Sequence, residues 1–194
     1  MRKGVPASVL NVNESIFEML KKAEIFLKNN GKPAEVFDEV RNHALGIAEK
    51  FELEAASTTN LQPGAVETLK ALKDMNVKMG LCTTSGEKSA RYILQRFKID
   101  EFFKIVVPRD KVKYVKPNTE QFELALKNLR ARAKVAVIVG DSVVDMESAA
   151  ELKAVAVGLP TGVSTETQLK DKGANYIITS LTDLPILVKE LNKK

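Results

Sequence analysis

The sequence predicts an α/β fold in which a doubly wound parallel sheet carries a small α-helical cap, inserted after the first strand. From Pro63 onward, short apolar stretches alternate with helical patterns, as expected of parallel βαβ units. Residues 135–139 (VAVIV) form a continuous apolar run, which is typical of a strand covered on both faces. Residues 15–60 contain helical patterns without such strands, and this difference predicts a helical insert.

The first strand is expected over residues 5–10, directly before the helical patterns of the cap. Gly4 and Pro6 stand beside and within this stretch. Both residue types are unfavourable in a central strand, because proline cannot donate a ladder hydrogen bond and glycine weakens the strand. The position of this strand therefore follows from the order of the elements rather than from a strong strand pattern.

The cap begins with a recognisable helix start. Ser15 and Glu18 form the S-x-x-E pattern of a capping box, and Gly31 and Pro33 predict the end of the helix that follows. The predicted cap elements are a helix at residues 15–28, a second helix at 34–53 and a polar hinge at 57–60.

The α/β core is expected to comprise residues 1–14 and 61–194. Pro63 and Gly64 open its first helix. The predicted strands after this point are residues 77–82, 104–107, 135–139, 154–158 and 175–179. The predicted helices are residues 65–75, 87–97, 119–129, 146–152, 165–172 and a last helix that ends at Leu191.

Composition restricts the class of protein. The chain has 194 residues, of which 44% are hydrophobic and 28% charged, an ordinary balance for a globular protein. No apolar run approaches the roughly 18 residues that span a bilayer, and the N-terminus lacks the apolar region of a signal peptide. A cytoplasmic location without membrane contact is therefore expected. Cys82 is the only cysteine, which excludes an internal disulfide and a zinc site built on several cysteines.

The net charge of +5 does not indicate a nucleic-acid partner. Lysine and arginine are scattered among glutamates, tryptophan is absent, and the densest basic run is the terminal Lys193–Lys194. A basic site for small anionic molecules is compatible with this charge. The sequence leaves the formation of a homodimer open.

Hydroxyl side chains follow the second predicted strand of the core. In such sheets, ligands lie beyond the carboxyl ends of the strands. Thr83, Thr84 and Ser85 occupy this position, just before a helix that begins near Glu87. Free N–H groups at a helix start bind phosphate, which makes Thr83 and Thr84 candidate substrate-binding residues. The alternative is an ordinary Ser/Thr helix cap.

Charged side chains follow two further strands. Lys116, before Pro117, is either a surface lysine or a point charge that reaches a phosphate. Asp141 ends the strand 135–139, and Asp145 follows one helical turn later. Two carboxylates at this spacing suit Mg²⁺, which prefers a few carboxylates with water and phosphate oxygens. The alternative is that these aspartates only cap the next helix and complement its dipole.

The segments LCTTSGE, VKPNTEQF and VGDSVVDMESA, in this order and each at a strand end, resemble the haloacid dehalogenase superfamily of phosphohydrolases. The match is to the phosphoglycolate-phosphatase-like branch, which has a helical cap. The resemblance implies a Rossmann-like core and Mg²⁺-dependent hydrolysis of a small phosphomonoester. It also implies that Thr83 binds phosphate, that Lys116 stabilises phosphate and nucleophile, and that Asp141 and Asp145 bind Mg²⁺.

The first motif of the family departs from its usual D-x-D pattern in this chain. In the better register, Asn11 stands in place of the nucleophile and Asn13 in place of the acid/base residue. A second register puts Gly4 and Pro6 there, and no aspartate occurs before Asp38. An amide neither attacks phosphorus well nor accepts a proton near neutral pH. General acid–base assistance alone is typically worth about 10²–10⁴ in rate, so impaired turnover is expected.

Several alternatives stay open for this segment. Asn13 and Ser15 are candidate caps of the first cap helix, and Glu14 is a candidate replacement carboxylate. Decay of the motif, a truncated chain and a misplaced start would look alike in the sequence. The alternative function is a non-catalytic homologue that binds phosphate and Mg²⁺ and has a regulatory or scaffolding role. Arg41 and His43 of the cap are candidate substrate contacts.

Overall fold

A computed structural model of the chain describes residues 4–11 and 13–193. The predicted core range of 1–14 and 61–194 includes residues 1–3, Val12 and Lys194, which lie outside the described residues. The α-helices are α1 (Ile16–Asn29), α2 (Ala34–Thr58), α3 (Ala65–Asp74), α4 (Glu87–Arg96), α5 (Glu120–Leu129), α6 (Val143–Leu152), α7 (Glu166–Asp171) and α8 (Leu184–Leu191). The strands are β1 (Met79–Cys82), β2 (Phe103–Val107), β3 (Val137–Gly140), β4 (Val155–Gly158) and β5 (Tyr176–Ile177).

The chain divides into two compact units, Met1–Ala55 and Ala56–Lys194. The first unit contains α1 and most of α2, and the second contains every strand named above. The division into a core of residues 1–14 and 61–194 with a cap at 15–60 stays a prediction.

The prediction of a first strand over residues 5–10 is wrong. Ala7–Val9 form a 3₁₀ turn, in which Leu10 N–H donates to the carbonyl of Ala7. Pro6, which precedes the turn, has no N–H to offer a strand ladder, and Leu10 is 41% exposed. The segment therefore has neither the hydrogen-bonding capacity nor the burial of a central strand.

The start of α1 confirms the predicted capping box. The hydroxyl oxygen of Ser15 accepts a hydrogen bond from Glu18 N–H at 3.2 Å, and the Glu18 carboxylate accepts one from Ser15 N–H at 2.9 Å. The bonds from Ser15 hold the pKa of Glu18 below its ordinary value. Leu20, Ala23 and Leu27 recur at helical spacing and are buried, so α1 covers an apolar face of the first unit.

All pairs of strands in the second unit are parallel, which confirms the predicted α/β class. β1 pairs with β2, and β4 pairs with β3 on one side and β5 on the other. Within residues 4–11 and 13–193, these pairings give two separate sheets instead of the one sheet expected. Residues 5–10 contain no strand that could add to either sheet.

Helices cover β3 on both faces, as the continuous apolar run predicts. Ile138 packs in a cluster with Met146 of α6 and Leu169 of α7. Val137 and Val139, which point to the opposite face, pack against a cluster of the buried residues Leu72, Val157, Leu159, Ile178, Leu184 and Val188. Met79 of β1 packs against this second cluster, so the two sheets share one apolar core.

Among the described residues, none of the helices combines sufficient length with sufficient apolar character to cross a membrane.

Candidate functional site

The end of β1 places Thr83 in a tight turn. Thr83 N–H donates to the carbonyl of Val107, the last residue of β2, at 3.1 Å. The Thr83 hydroxyl oxygen accepts a hydrogen bond from Ser85 N–H at 3.1 Å. Thr83 and Thr84 are half-buried. The predicted substrate-binding threonines thus lie in an ordered loop at the carboxyl end of the strand.

The start of α4 already holds a carboxylate from the protein. Glu87 N–H donates to Asp110, in the loop after β2, at 2.6 Å. The N-cap residue is Gly86, which has no side chain, so the alternative of a Ser/Thr cap is wrong. A carboxylate suits this position because the helix N-terminus has free N–H groups and a partial positive charge. The Glu87 N–H is therefore already bonded to Asp110 in the protein without a ligand.

Lys116 and Asp145 form a buried ion pair. The Lys116 ammonium lies 2.6 Å from the Asp145 carboxylate, and their side chains are 11% and 6% exposed. The ammonium also donates to the carbonyl of Cys82, the last residue of β1, at 3.4 Å. Lys116 is therefore not a surface lysine, and it connects the end of β1 to the first turn of α6.

Two glycines leave room for the predicted metal carboxylates. A Cβ atom at Gly140 would collide with the Asp145 side chain, and one at Gly162 would collide with the Asp141 carboxylate. Asp145 is buried and Asp141 is exposed. Only glycine permits this close approach of a carboxylate to the backbone.

Asp141 does not cap α6. The N-cap residue of this helix is Ser142. The first N–H of the helix, that of Val143, donates to the hydroxyl of Ser164 at 3.2 Å. Ser164 is 7% exposed and follows β4. The Asp141 side chain is thus not used as the helix cap that the alternative interpretation required.

The donor chemistry of Asp141 and Asp145 fits Mg²⁺. Among the residues that the structure describes, no group of three or more His, Cys, Asp or Glu side chains forms a metal cluster. Mg²⁺ commonly takes only one or two carboxylates and completes its shell with water and phosphate oxygens. One oxygen of Asp145 accepts from Lys116. Asp141 and the other oxygen of Asp145 are the groups that would hold the cation, and this role stays a prediction.

Sequence reasoning missed two buried or half-buried residues at the start of α5. Gln121 is 0% exposed, and its side chain makes hydrogen bonds to the loops that contain Thr83 and Lys116. The Glu120 carboxylate accepts hydrogen bonds from Lys113 N–H at 3.1 Å and Tyr114 N–H at 2.9 Å. Neither residue type is distinctive at a helix start, so no local pattern identifies them.

Cys82 contributes a protonated thiol to this region. Burial raises the pKa of Cys82 from 9.0 to about 12, Lys116 acts in the opposite direction, and Asp145 adds to the rise. Its Sγ lies 3.5 Å from the carbonyl oxygen of Gln121. A thiolate is the nucleophilic form of cysteine, so Cys82 is not a replacement nucleophile near neutral pH.

The described residues of LNVNES, all except Val12, supply a local hydrogen bond and the cap of α1 in the first unit. The Asn11 side-chain oxygen accepts a hydrogen bond from Asn13 N–H at 3.0 Å, and both residues are exposed. Ser15 caps α1, whereas Asn13 does not. The Glu14 carboxylate forms an ion pair with Lys22 at 2.5 Å. Within this unit, the Glu14 carboxylate is thus paired with the Lys22 ammonium.

The candidate substrate contacts of the predicted cap lie on α2. Arg41 is half-buried and His43 is exposed. Their contact with a substrate stays a prediction.

Comparison with known proteins identifies the family. The haloacid dehalogenase-like hydrolase family matches residues 11–158. The pyrophosphatase PpaX of Halalkalibacterium halodurans is 32% identical over 123 residues, which cover 62% of this chain and 56% of that protein. PpaX of Bacillus anthracis is 28% identical over 127 residues, which cover 66% and 59%. The chain thus spans less than two thirds of the length of these curated relatives.

Solved structures agree with this assignment. A hydrolase from Pseudomonas syringae superposes with a TM-score of 0.70 and 28% identity, covering 89% of this chain and 77% of that one. A protein described as a predicted phosphoglycolate phosphatase from Haemophilus somnus has a TM-score of 0.67 and 21% identity, covering 91% and 78%. At this lower identity the similarity supports the fold alone. Since the family match covers more than half of the sequence, the chain belongs to the haloacid dehalogenase-like hydrolase family.

Proposed function

We propose that this protein binds a small phosphorylated molecule and Mg²⁺, and that its hydrolysis of phosphomonoesters is impaired. Thr83, Thr84 and Lys116 would contact the phosphate, and Asp141 and Asp145 would hold the cation. The observation that supports this proposal is the buried ion pair between Lys116 and Asp145 at the carboxyl ends of β1 and β3.

A buried ion pair often contributes little net free energy to folding. The cost of removing two charges from water often exceeds their mutual attraction, and apolar replacements are frequently as stable. Its position at the strand ends, where ligands of open α/β sheets bind, favours a functional role instead. An ammonium has three N–H donors, and Asp145 and the Cys82 carbonyl accept from Lys116. A third donor would serve a phosphate oxygen.

Each group has a separate role in the proposed chemistry. The Thr83–Thr84 loop would orient the phosphate, while Lys116 would offset its negative charge. Bound Mg²⁺ would add further neutralisation of charge on the phosphate oxygens. The missing contribution is the carboxylate that attacks phosphorus, because Asn11 and Asn13 carry neutral amides.

A second candidate function is binding without turnover, in a regulatory or scaffolding role. The Glu14–Lys22 ion pair favours it, because it engages the carboxylate that is the candidate replacement for the missing nucleophile. The names of the relatives make inorganic pyrophosphate a ligand to test beside phosphomonoesters. A cytoplasmic location and the absence of nucleic-acid and membrane partners stay predictions. The formation of a homodimer stays open.

Hydrolysis of p-nitrophenyl phosphate and of pyrophosphate, with Mg²⁺ and with EDTA, tests the proposal. The wild-type chain should stay near the background rate. The double variant Asn11→Asp, Asn13→Asp should gain about 10²-fold or more in the presence of Mg²⁺. Adding Lys116→Ala to this variant should abolish the gain. Asn42→Asp, an exposed change on α2, is the matched control and should gain nothing.

The outcomes separate the candidate functions. Robust wild-type hydrolysis would contradict the impairment. A silent double variant, together with phosphate binding detected by calorimetry, would favour binding without turnover. If neither hydrolysis nor phosphate binding is found, the whole proposal fails.

A further inference from the structure

We propose that Gln121 is a positioning residue that fixes Thr83 and Lys116 relative to each other. This inference rests on the proposed function, because it concerns the same phosphate site. Gln121 would act without touching the ligand, through the backbone of the two loops that carry the ligand-binding groups.

The side-chain amide of Gln121 makes three hydrogen bonds to three different segments. Its Nε2 donates to the carbonyl of Thr83 at 2.8 Å and to the carbonyl of Val107 at 2.9 Å. Its Oε1 accepts from Lys116 N–H at 3.3 Å. The amide therefore links the ends of β1 and β2 to the loop that precedes α5.

The match between the amide and its surroundings is specific to glutamine. The site offers two carbonyl acceptors and one N–H donor, and a primary amide supplies two donors and one strong acceptor. Glutamate would place two acceptors against two carbonyls. Methionine would remove the bonds of the amide to the Thr83 carbonyl and the Lys116 N–H, whereas the Val107 carbonyl would keep its bond from Thr83 N–H. Gln121 is 0% exposed, so water cannot replace a lost bond there without entering the core.

These bonds fix the relative position of the two groups assigned to phosphate. Thr83 N–H also donates to the Val107 carbonyl, so the turn that holds the Thr83 hydroxyl is anchored at both backbone groups. Lys116 is held at its N–H by Gln121 and at its ammonium by Asp145. Loss of the amide would release the Thr83 carbonyl and the Lys116 N–H. The bonds of Thr83 N–H and of the Lys116 ammonium would stay in place.

The test compares Gln121→Met with a variant that loses stability elsewhere. Methionine keeps the length of the side chain and removes the three hydrogen bonds. Leu94→Ala is the control, since Leu94 is 4% exposed and belongs to the separate cluster with Ile99 and Phe102. Binding of inorganic phosphate is measured by calorimetry at a temperature at which every variant is folded. Exchange of the Lys116 backbone N–H is measured by NMR in the same samples.

Gln121→Met should weaken phosphate binding by about 10–100-fold, the usual effect of removing a group that orients a ligand-binding residue. It should also speed exchange of the Lys116 N–H. Leu94→Ala should lower the unfolding midpoint and leave the affinity for phosphate within twofold of wild type. Wild-type affinity and exchange in Gln121→Met, or an equal loss of affinity in Leu94→Ala, would overturn the inference. If Gln121→Met does not fold, Gln121→Asn, which is too short to reach all three partners, replaces it.

The two proposals fail separately. If wild-type protein does not bind phosphate, the proposed function fails, and exchange of the Lys116 N–H then decides the role of Gln121 alone. If phosphate binds equally well to wild type and Gln121→Met, only the role of Gln121 is rejected.

Discussion

At the scale of single residues, breaking the pair between Lys116 and Asp145 should lower the free energy of unfolding measurably. Removing one partner leaves the other as an uncompensated buried charge. Asp145→Asn should lower the free energy of unfolding by about 3–5 kcal/mol. Urea denaturation at neutral pH measures this change.

The exposed pair between Lys73 and Glu101 is the matched control. Its side chains are 53% and 63% exposed, although its distance of 2.7 Å is similar. Glu101→Gln should cost about 0–1 kcal/mol, because water already screens the two charges. Equal losses in Glu101→Gln and Asp145→Asn would contradict the buried character of the Lys116–Asp145 pair.

The raised pKa of Cys82 predicts a loss of stability in alkali. The unfolded chain releases the thiol proton near pH 9, whereas the folded chain retains it until about pH 12. Between these values the folded state binds more protons, so the free energy of unfolding falls as pH rises. Below about pH 8 the thiol is protonated in both states and this contribution is fully present.

Comparison with Cys82→Ala isolates this effect from the titration of lysines and tyrosines. Between pH 8 and pH 10.5, the urea midpoint should fall further for the wild-type chain than for Cys82→Ala. Parallel losses in the two proteins would show that the folded state does not retain the thiol proton.

At the scale of elements, the cap of α1 gives a direct test of which side chain starts this helix. Ser15→Ala removes the hydroxyl that accepts from Glu18 N–H and should cost about 0.5–2 kcal/mol. Asn13→Ala should stay within about 0.5 kcal/mol, because its side chain does not cap the helix and exposed positions tolerate change. Helix content by circular dichroism during urea unfolding measures both. A larger loss in Asn13→Ala would contradict Ser15 as the cap.

The elements also show which features a sequence can predict. The capping box of α1 joins residues three apart, so the sequence predicts it correctly from local pattern alone. The first strand depends on partners elsewhere in the chain, and its placement over residues 5–10 is wrong. The bonds of Gln121 span 5, 14 and 38 positions, and the bond from Glu87 to Asp110 spans 23. Contacts at such separations leave no local sign.

At the scale of the whole molecule, the second unit should fold without the first. Each apolar core cluster described for the chain draws its members from positions after residue 60. A fragment of residues 56–194 should therefore unfold cooperatively in urea. A fragment without a cooperative transition would show that residues 1–55 are required for this core.

The family and the parallel α/β architecture were accessible from three short motifs in a fixed order, two of which, LCTTSGE and VGDSVVDMESA, contain the ends of β1 and β3. The same motifs did not reveal that Asp110 occupies the start of α4 or that Lys116 is held by Asp145. Several charged side chains are available for each contact. Which of them pairs depends on the folded arrangement of the loops.

The assignment of Asp145 to both Lys116 and the proposed cation would have a thermodynamic consequence. A divalent cation bound by this carboxylate would weaken its bond to the Lys116 ammonium, and an anion bound by Lys116 would leave Asp145 more available to the cation. Each ligand would then tighten the other by the same factor, since linkage between two equilibria is reciprocal. Titrations in either order should therefore return one coupling constant.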